Sequence, residues 1–351
     1  MKNSTAAIFT SGMGMGAYST AIIMKNELLK KNINTTIYVY EDYLAETKKE
    51  NLIAYKKVFH ENVRMAKLGH ALMSKFESTM DIDRSNKLFE NLCANNYTYI
   101  IIMSGNWINF FNEKQNSKFK NISCIHLDCS EPPSWQGKEI KFYNNNIWLL
   151  GTQKETAKFY LYKKQKQNNK DFVIYGGGWG MGNYLQYVSE LSKHIKLNII
   201  IHNENDYIAQ LENSNWFMMD QEWIPNNQIA NSNSCNPMLR KYSIYDNKLL
   251  IESELNGNNL LHDSKGIITK PGGGTIIDSI ASATPLIFLP PFSKHEEDNL
   301  EYYINRNLAI TLDKWKNNNY SDYDLNLIRS NLQKYAEKLM PITNEIINYK
   351  E

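Results

Sequence analysis

Residues 266–278 read Gly266-Ile267-Ile268-Thr269-Lys270-Pro271-Gly272-Gly273-Gly274-Thr275-Ile276-Ile277-Asp278: a short apolar run, a glycine-rich turn and the opening of an apolar helix. A strand that passes through such a turn into a helix presents bare backbone N–H groups at the positive end of the helix dipole. That arrangement suits an anionic ligand, a diphosphate in particular. In open α/β sheets, ligands gather at the carboxyl ends of the parallel strands, which is where a turn of this kind falls.

Two more turns share the pattern. Ser11-Gly12-Met13-Gly14-Met15-Gly16-Ala17 follows the apolar run Thr5 to Thr10, and Tyr175-Gly176-Gly177-Gly178-Trp179-Gly180-Met181-Gly182 follows Phe172 to Tyr175. The first satisfies G-x-G-x-x-G/A through Gly12, Gly14 and Ala17, and Glu41 stands where a Rossmann ribose acid would be. An NAD-linked oxidoreductase is therefore one reading. It leaves the other two turns without a ligand, whereas two α/β halves facing each other across a cleft use all three. The sequence thus predicts an α/β protein of two Rossmann-like domains, residues 1–165 and 166–351.

The rest of the chain fits around these turns. Thr35 to Tyr40, Tyr97 to Met103, Ile122 to Leu127 and Ile147 to Leu150 read as strands, with a long helical stretch over 43–80. The polar segment Tyr160 to Lys170 reads as a linker. Strands resume at Leu197 to His202, Trp216 to Met219, Leu249 to Glu252 and Pro285 to Leu289, and helices between strands imply parallel sheets. Asn226 to Asn236 is expected to be a polar surface loop without function. Leu325, Ile328, Leu332, Tyr335, Leu339 and Ile342 recur every three or four residues, predicting one helix over 325–349 that packs across a domain.

Composition narrows the function. The chain of 351 residues suits two cores. Its 39 basic and 37 acidic residues give a net charge of +2, too weak a field to draw in nucleic acid or an anionic membrane. The four cysteines form no C-x-x-C pair, which fits a reducing, cytoplasmic setting. Glycines interrupt the apolar Ala6 to Met24, arguing against a signal peptide, and no run reaches the roughly 18–20 apolar residues of a membrane span. The histidines have no metal-ligand spacing, so no metal is expected.

With these turns read, Lys270 to Asn299 resembles the donor-binding region of GT-B glycosyltransferases, the MurG-like branch especially. The resemblance implies a diphosphate over Gly272, Gly273, Gly274 and Thr275, flanked by Lys270 and Pro271, and ribose hydroxyls on Asp278. Pro290-Pro291-Phe292 leads into His295-Glu296-Glu297-Asp298-Asn299, where the family places an acid–amide pair against the sugar; its register among Glu297, Asp298 and Asn299 stays open. Gly177 and Gly178 lie in a loop that resembles the one opening the family's C-terminal domain. Gly12, Gly14 and Gly16 resemble its acceptor-side loop. One departure is Ala17, where the family commonly has a histidine near the acceptor.

Ile125-His126-Leu127-Asp128 with Pro132 resembles the segment that ends an N-domain strand in this family. Inverting, metal-independent sugar transfer needs a base and fixed positive potential for the departing diphosphate. Asp128 is the first candidate base, His126 the second and Glu131 the third. The implied donor is a nucleotide sugar, UDP-linked by resemblance, with no separate cofactor, and the implied acceptor is a small or lipid-like molecule. A GT-B epimerase or hydrolase and a silent sugar-nucleotide-binding protein are the other readings.

Overall fold

The computed structural model describes residues 4–13, 15–73, 80–114, 119–139, 141, 143–151, 159–164, 171–208, 211, 213–219, 223–232, 238–245 and 248–348. The first lobe runs β1 (Thr5–Thr10), α1 (Gly16–Leu29), β2 (Asn34–Val39), α2 (Glu46–Glu61), α3 (Val63–Met73) and α4 (Ile82–Asn95). It continues with β3 (Tyr99–Ile102), α5 (Ile108–Glu113), β4 (Ile122–His126) and β5 (Asn145–Trp148). Its five strands are parallel in the order β2-β1-β3-β4-β5. β1 is apolar on both faces because helices cover both: Ala6 to Phe9 are fully buried.

After β6 (Phe159–Tyr160), the second lobe opens with β7 (Phe172–Ile174), α6 (Val188–Leu191), β8 (Leu197–Ile201), β9 (Ser214–Met219) and α7 (Asn227–Ala230). A hairpin of β10 (Met238–Tyr245) and β11 (Lys248–Asn256) leads to α8 (Gly257–Asp263), β12 (Gly266–Thr269) and α9 (Gly273–Ser282). β13 (Leu286–Phe288), α10 (Lys294–Asn305), β14 (Ala309–Thr311), α11 (Leu312–Asn317), α12 (Asp322–Glu337), β15 (Met340–Pro341) and α13 (Ile342–Asn348) complete it. The strand order is β11-β10-β9-β8-β7-β12-β13-β14, parallel except for the hairpin. Strand order reverses between β1 and β3 in one sheet and between β7 and β12 in the other. The three glycine turns follow β1, β7 and β12, so each stands at a switch point, where α/β sheets bind ligands.

The two Rossmann-like lobes expected from sequence are present, with four local differences. The helical stretch 43–80 breaks at Asn62, which accepts N–H bonds from Arg64 and Met65 and so caps α3 instead of continuing α2. The C-terminal helix ends at Glu337, four residues before Pro341, which has no N–H to extend it; α13 then packs back on α1, with Tyr99 donating to the Ile347 carbonyl. β10 forms over residues for which the sequence predicted no element.

The fourth difference is α7, within the supposed surface loop, whose residues 233–236 lie outside the described ones. Asn231 bonds both the N–H (2.9 Å) and the carbonyl (2.8 Å) of Ile37, and Asn227 accepts from Val39 N–H at 2.6 Å. Two amide side chains of the second lobe thus cover the free edge of the first lobe's sheet. The 165/166 domain boundary also lies outside the described residues. The described part of the linker is no loose tether: β6 pairs with β15, and Lys164 N–H bonds the Ala281 carbonyl.

Candidate functional site

A cavity of about 300 Å³ lies between the lobes, and all three glycine turns contribute to its wall. α1 and α9 meet there start to start: a Cβ added to Gly274 would lie 3.1 Å from Gly16 Cα. One added to Gly273 would lie 2.4 Å from the Leu127 carbonyl oxygen and 2.7 Å from Asp128 Oδ1, so only glycine lets the lobes approach this closely. Neither helix carries an acid in its own first turn, so two positive dipole ends meet in one place, that of α9 facing the carboxylate of Asp128 from the other lobe.

Around the third turn, the Thr275 hydroxyl meets that of Tyr175, and Lys270 forms a buried ion pair with Glu296. Glu296 also accepts from Phe292 N–H at 2.7 Å. Burial alone would raise its carboxyl, but the Lys270 charge and these hydrogen bonds prevail and hold it below the ordinary range. Asp278 lines the cavity and accepts 2.7 Å from Tyr162; His262 Nε2 lies 2.5 Å from the Tyr162 oxygen and 3.3 Å from Asp278 Oδ1. Tyr162 comes from the segment between the lobes, and no local pattern marked it.

The second turn adopts φ values of 78° at Gly177 and 63° at Gly180, a region that favours glycine. Gly177 and Gly178 stand on the cavity wall. In the first turn, Glu41 accepts from the Ser11 hydroxyl at 2.5 Å and from Gly12 N–H at 2.9 Å. Its two oxygens are spent on its own loop, which removes the ribose acid that the NAD reading needed. Gly16 lines the cavity, while Gly14 lies outside the described residues.

The segment before and along α10 sorts by helix face. His295 and Glu296 reach the cavity wall, Glu296 being the acid that sequence reading passed over. Glu297 is corrected to the outer face, its side chain 55% exposed beside Lys294. Asp298 pairs with Lys294 at 2.6 Å and does not line the cavity. Asn299 is corrected to a joint between the lobes: it donates to Asp128 Oδ1 (2.7 Å) and the Pro271 carbonyl (2.9 Å) and accepts from Cys129 N–H (2.8 Å).

Asp128 is on the cavity wall at the end of β4, and its Oδ1 also accepts from Gly273 N–H at 3.1 Å. His126 is not on that wall. Its ring is stacked on Trp148 with centroids 4.1 Å apart, lies 4.2 Å from the centroid of Trp135, and bonds Asn146 at 2.7 Å. Burial lowers its titration to about 4, so it stays neutral inside the first lobe, and its candidacy as the base is withdrawn. Glu131 is exposed, outside the cavity. Among the described residues no group of three His, Cys, Asp or Glu is placed to hold a metal ion, and no helix is long and apolar enough to cross a membrane.

This architecture has solved counterparts. The spinosyn rhamnosyltransferase SpnG complexed with thymidine diphosphate superposes with a TM-score of 0.56 at 8% identity, over 98% of this chain and 99% of that one. The glycosyltransferase SnogD from Streptomyces nogalater gives 0.55 at 9% identity, over 99% and 98%. The chain has the GT-B fold. MurG of Acinetobacter baumannii, another GT-B structure, gives 0.50 at 11% identity over 98% and 97%. No family model and no curated protein sequence matches the chain. Identities this low establish the shared GT-B architecture, and the chemistry must be argued from the cleft itself.

Proposed function

We propose that the protein is a glycosyltransferase that moves a hexosyl or N-acetylhexosaminyl group from a nucleotide donor, UDP-linked by resemblance, to a hydroxyl or amine of a small or lipid-like acceptor. One observation carries the reading: three glycine turns from two lobes line one cavity, with the starts of α1 and α9 touching at Gly16 and Gly274. Two helix dipoles converging on one point offer a diphosphate the positive potential that its departure requires, without a metal ion. SpnG, which shares the fold, was solved holding thymidine diphosphate.

In this reading the diphosphate lies over Gly273, Gly274 and Thr275, and Asp278, oriented by Tyr162, meets the ribose. Gly177, Gly178, Lys270 and His295 complete the donor side. Asp128 takes the acceptor proton. Gly273 and Asn299 hold its Oδ1, which makes Oδ2 the oxygen assigned to the proton. Ala17 is on the wall where the family's histidine would be, so the carboxylate acts alone.

Calorimetric titration with UDP, thymidine diphosphate and NAD tests the donor side. A nucleoside diphosphate should bind, NAD should not, and Asp278→Ala should weaken binding by about 1–3 kcal/mol, the cost of stranding hydrogen-bond partners. NAD binding with no response to UDP or thymidine diphosphate would overturn the reading. Donor turnover without any acceptor would point instead to a hydrolase or epimerase on the same fold.

A further inference from the structure

His60 lies in the last turn of α2 in the first lobe, yet among the described residues its hydrogen-bond partners belong to the second. Nδ1 lies 2.9 Å from the Gly180 carbonyl oxygen, and Nε2 lies 3.1 and 3.0 Å from the two carboxylate oxygens of Asp206. Both partners are acceptors. A carbonyl has no proton to give, and Asp206 Oδ2 already receives the N–H groups of His202 (2.9 Å) and Asn203 (3.1 Å). A neutral imidazole has one N–H and would leave one of these pairings without a proton; the imidazolium satisfies both.

We propose that His60, as a cation shared between the lobes, is a positioning residue that holds the second glycine turn against the first lobe and so fixes the donor wall of the cleft. The proposal rests on the nucleotide-sugar reading only for what that wall binds. Gly180 N–H in turn donates to the Gly177 carbonyl at 3.0 Å, so fixing Gly180 fixes Gly177 on the cavity wall. A Cβ on Gly180 would come within 2.4 Å of the His202 ring and 2.6 Å of the His60 ring, so the turn accepts the end of α2 only because glycine stands there. Next to His60, Phe59 lies against Trp179 of the same turn.

The charges around His60 agree with this role. Burial opposes its charge, but the Asp206 hydrogen bond and charge, helped by the Gly180 carbonyl and Glu61, outweigh it and raise its titration. His202, with its ring centroid 5.4 Å from that of His60, is driven the other way, to about 3, by burial first and then by the positive charges of His60 and Lys56. Tyr184, near Asp206, is pushed far up by burial and stays neutral. Asp206 is lowered, because its bonds from His60 and the backbone outweigh burial. The sign follows. The contribution of His60 is complete below the ordinary histidine range and is lost as pH rises through its raised titration; that of Asp206 is lost only as pH falls through its lowered one. The latch is closed below the raised titration of His60 and opens as pH rises through it.

The test uses the full chain. Protection of amides 176–182 against hydrogen exchange, relative to intrinsic rates, is followed from about pH 6 to about pH 9, a range that spans histidine titration. UDP affinity is measured above about pH 7, where its terminal phosphate is fully ionised. In the natural chain, protection and UDP affinity should both fall about tenfold as pH rises, an ordinary size for coupling between a switch and a site. His60→Gln should show the low protection already at neutral pH with no pH dependence, and Asp206→Asn should move the transition toward the ordinary histidine range. A flat profile in the natural chain, or an unchanged profile in His60→Gln, overturns the proposal. A turn that loosens with pH in a chain that binds no UDP supports the latch and sinks the donor reading alone.

Discussion

The turns that open α1 and α9 look alike in sequence and touch at Gly16 and Gly274, yet each is tied by a different acid. In the first, Glu41 from the neighbouring strand end takes Gly12 N–H and the Ser11 hydroxyl, so the turn is braced within its own lobe. In the third, Asp128 reaches across from the other lobe to Gly273 N–H. The first turn is a scaffold; the third is a joint made only when the lobes meet. Similar glycine-rich turns thus acquire different roles from partners that lie far away in the chain.

Substitutions sharpen or break this contrast. The largest effect is expected from Asp128→Asn, which keeps an amide oxygen for Gly273 and Asn299 but removes the base: turnover should fall by two to four decades, as for general-base loss, with UDP affinity retained. Glu41→Gln should change turnover by no more than a few fold, and an equal drop in the two variants would erase the distinction between the turns. Next comes Lys270→Met. It strands Glu296, whose side chain is 2% exposed, and should cost roughly 3–5 kcal/mol of stability in denaturant unfolding. A cost near zero would mean that Glu296 finds another partner.

Gly273→Ala forces a Cβ against Leu127 and Asp128, and should cost about 1–3 kcal/mol together with donor affinity. Gly272→Ala, whose added Cβ would meet nothing within 4 Å, should stay within about 0.5 kcal/mol of the natural chain. Matching values would show that the lobes do not close on Gly273. A smaller effect than that of Gly273→Ala belongs to His126→Phe, which keeps the stack on Trp148 and loses one hydrogen bond. It should cost about 1 kcal/mol of stability and leave turnover unchanged, and a large loss of turnover would restore His126 as the base.

The fold was legible because its signals are local: an apolar run, a glycine turn and a helical period recur within about fifteen residues at Gly12, Gly176 and Gly272. The position of Asp278 and Lys270 on the cavity wall was legible for the same reason, both being near their turn. Two further features are encoded locally. Pro341 bars α12 from continuing past it, and helical spacing from Ser293 sets Glu296 and Asn299 on one face and Glu297 on another. Tyr162, His60 and the Asn227–Asn231 pair were not legible, because each acts on residues about 100 or more positions away through contacts that no periodicity encodes.

A crystal structure of the chain with UDP tests the central claim most directly. A diphosphate between the lobes, bonded to the amides of Gly274 and Thr275 with its ribose on Asp278, is the predicted result. A nucleotide seated on the Gly12 turn alone, or away from the cleft between the lobes, would contradict it.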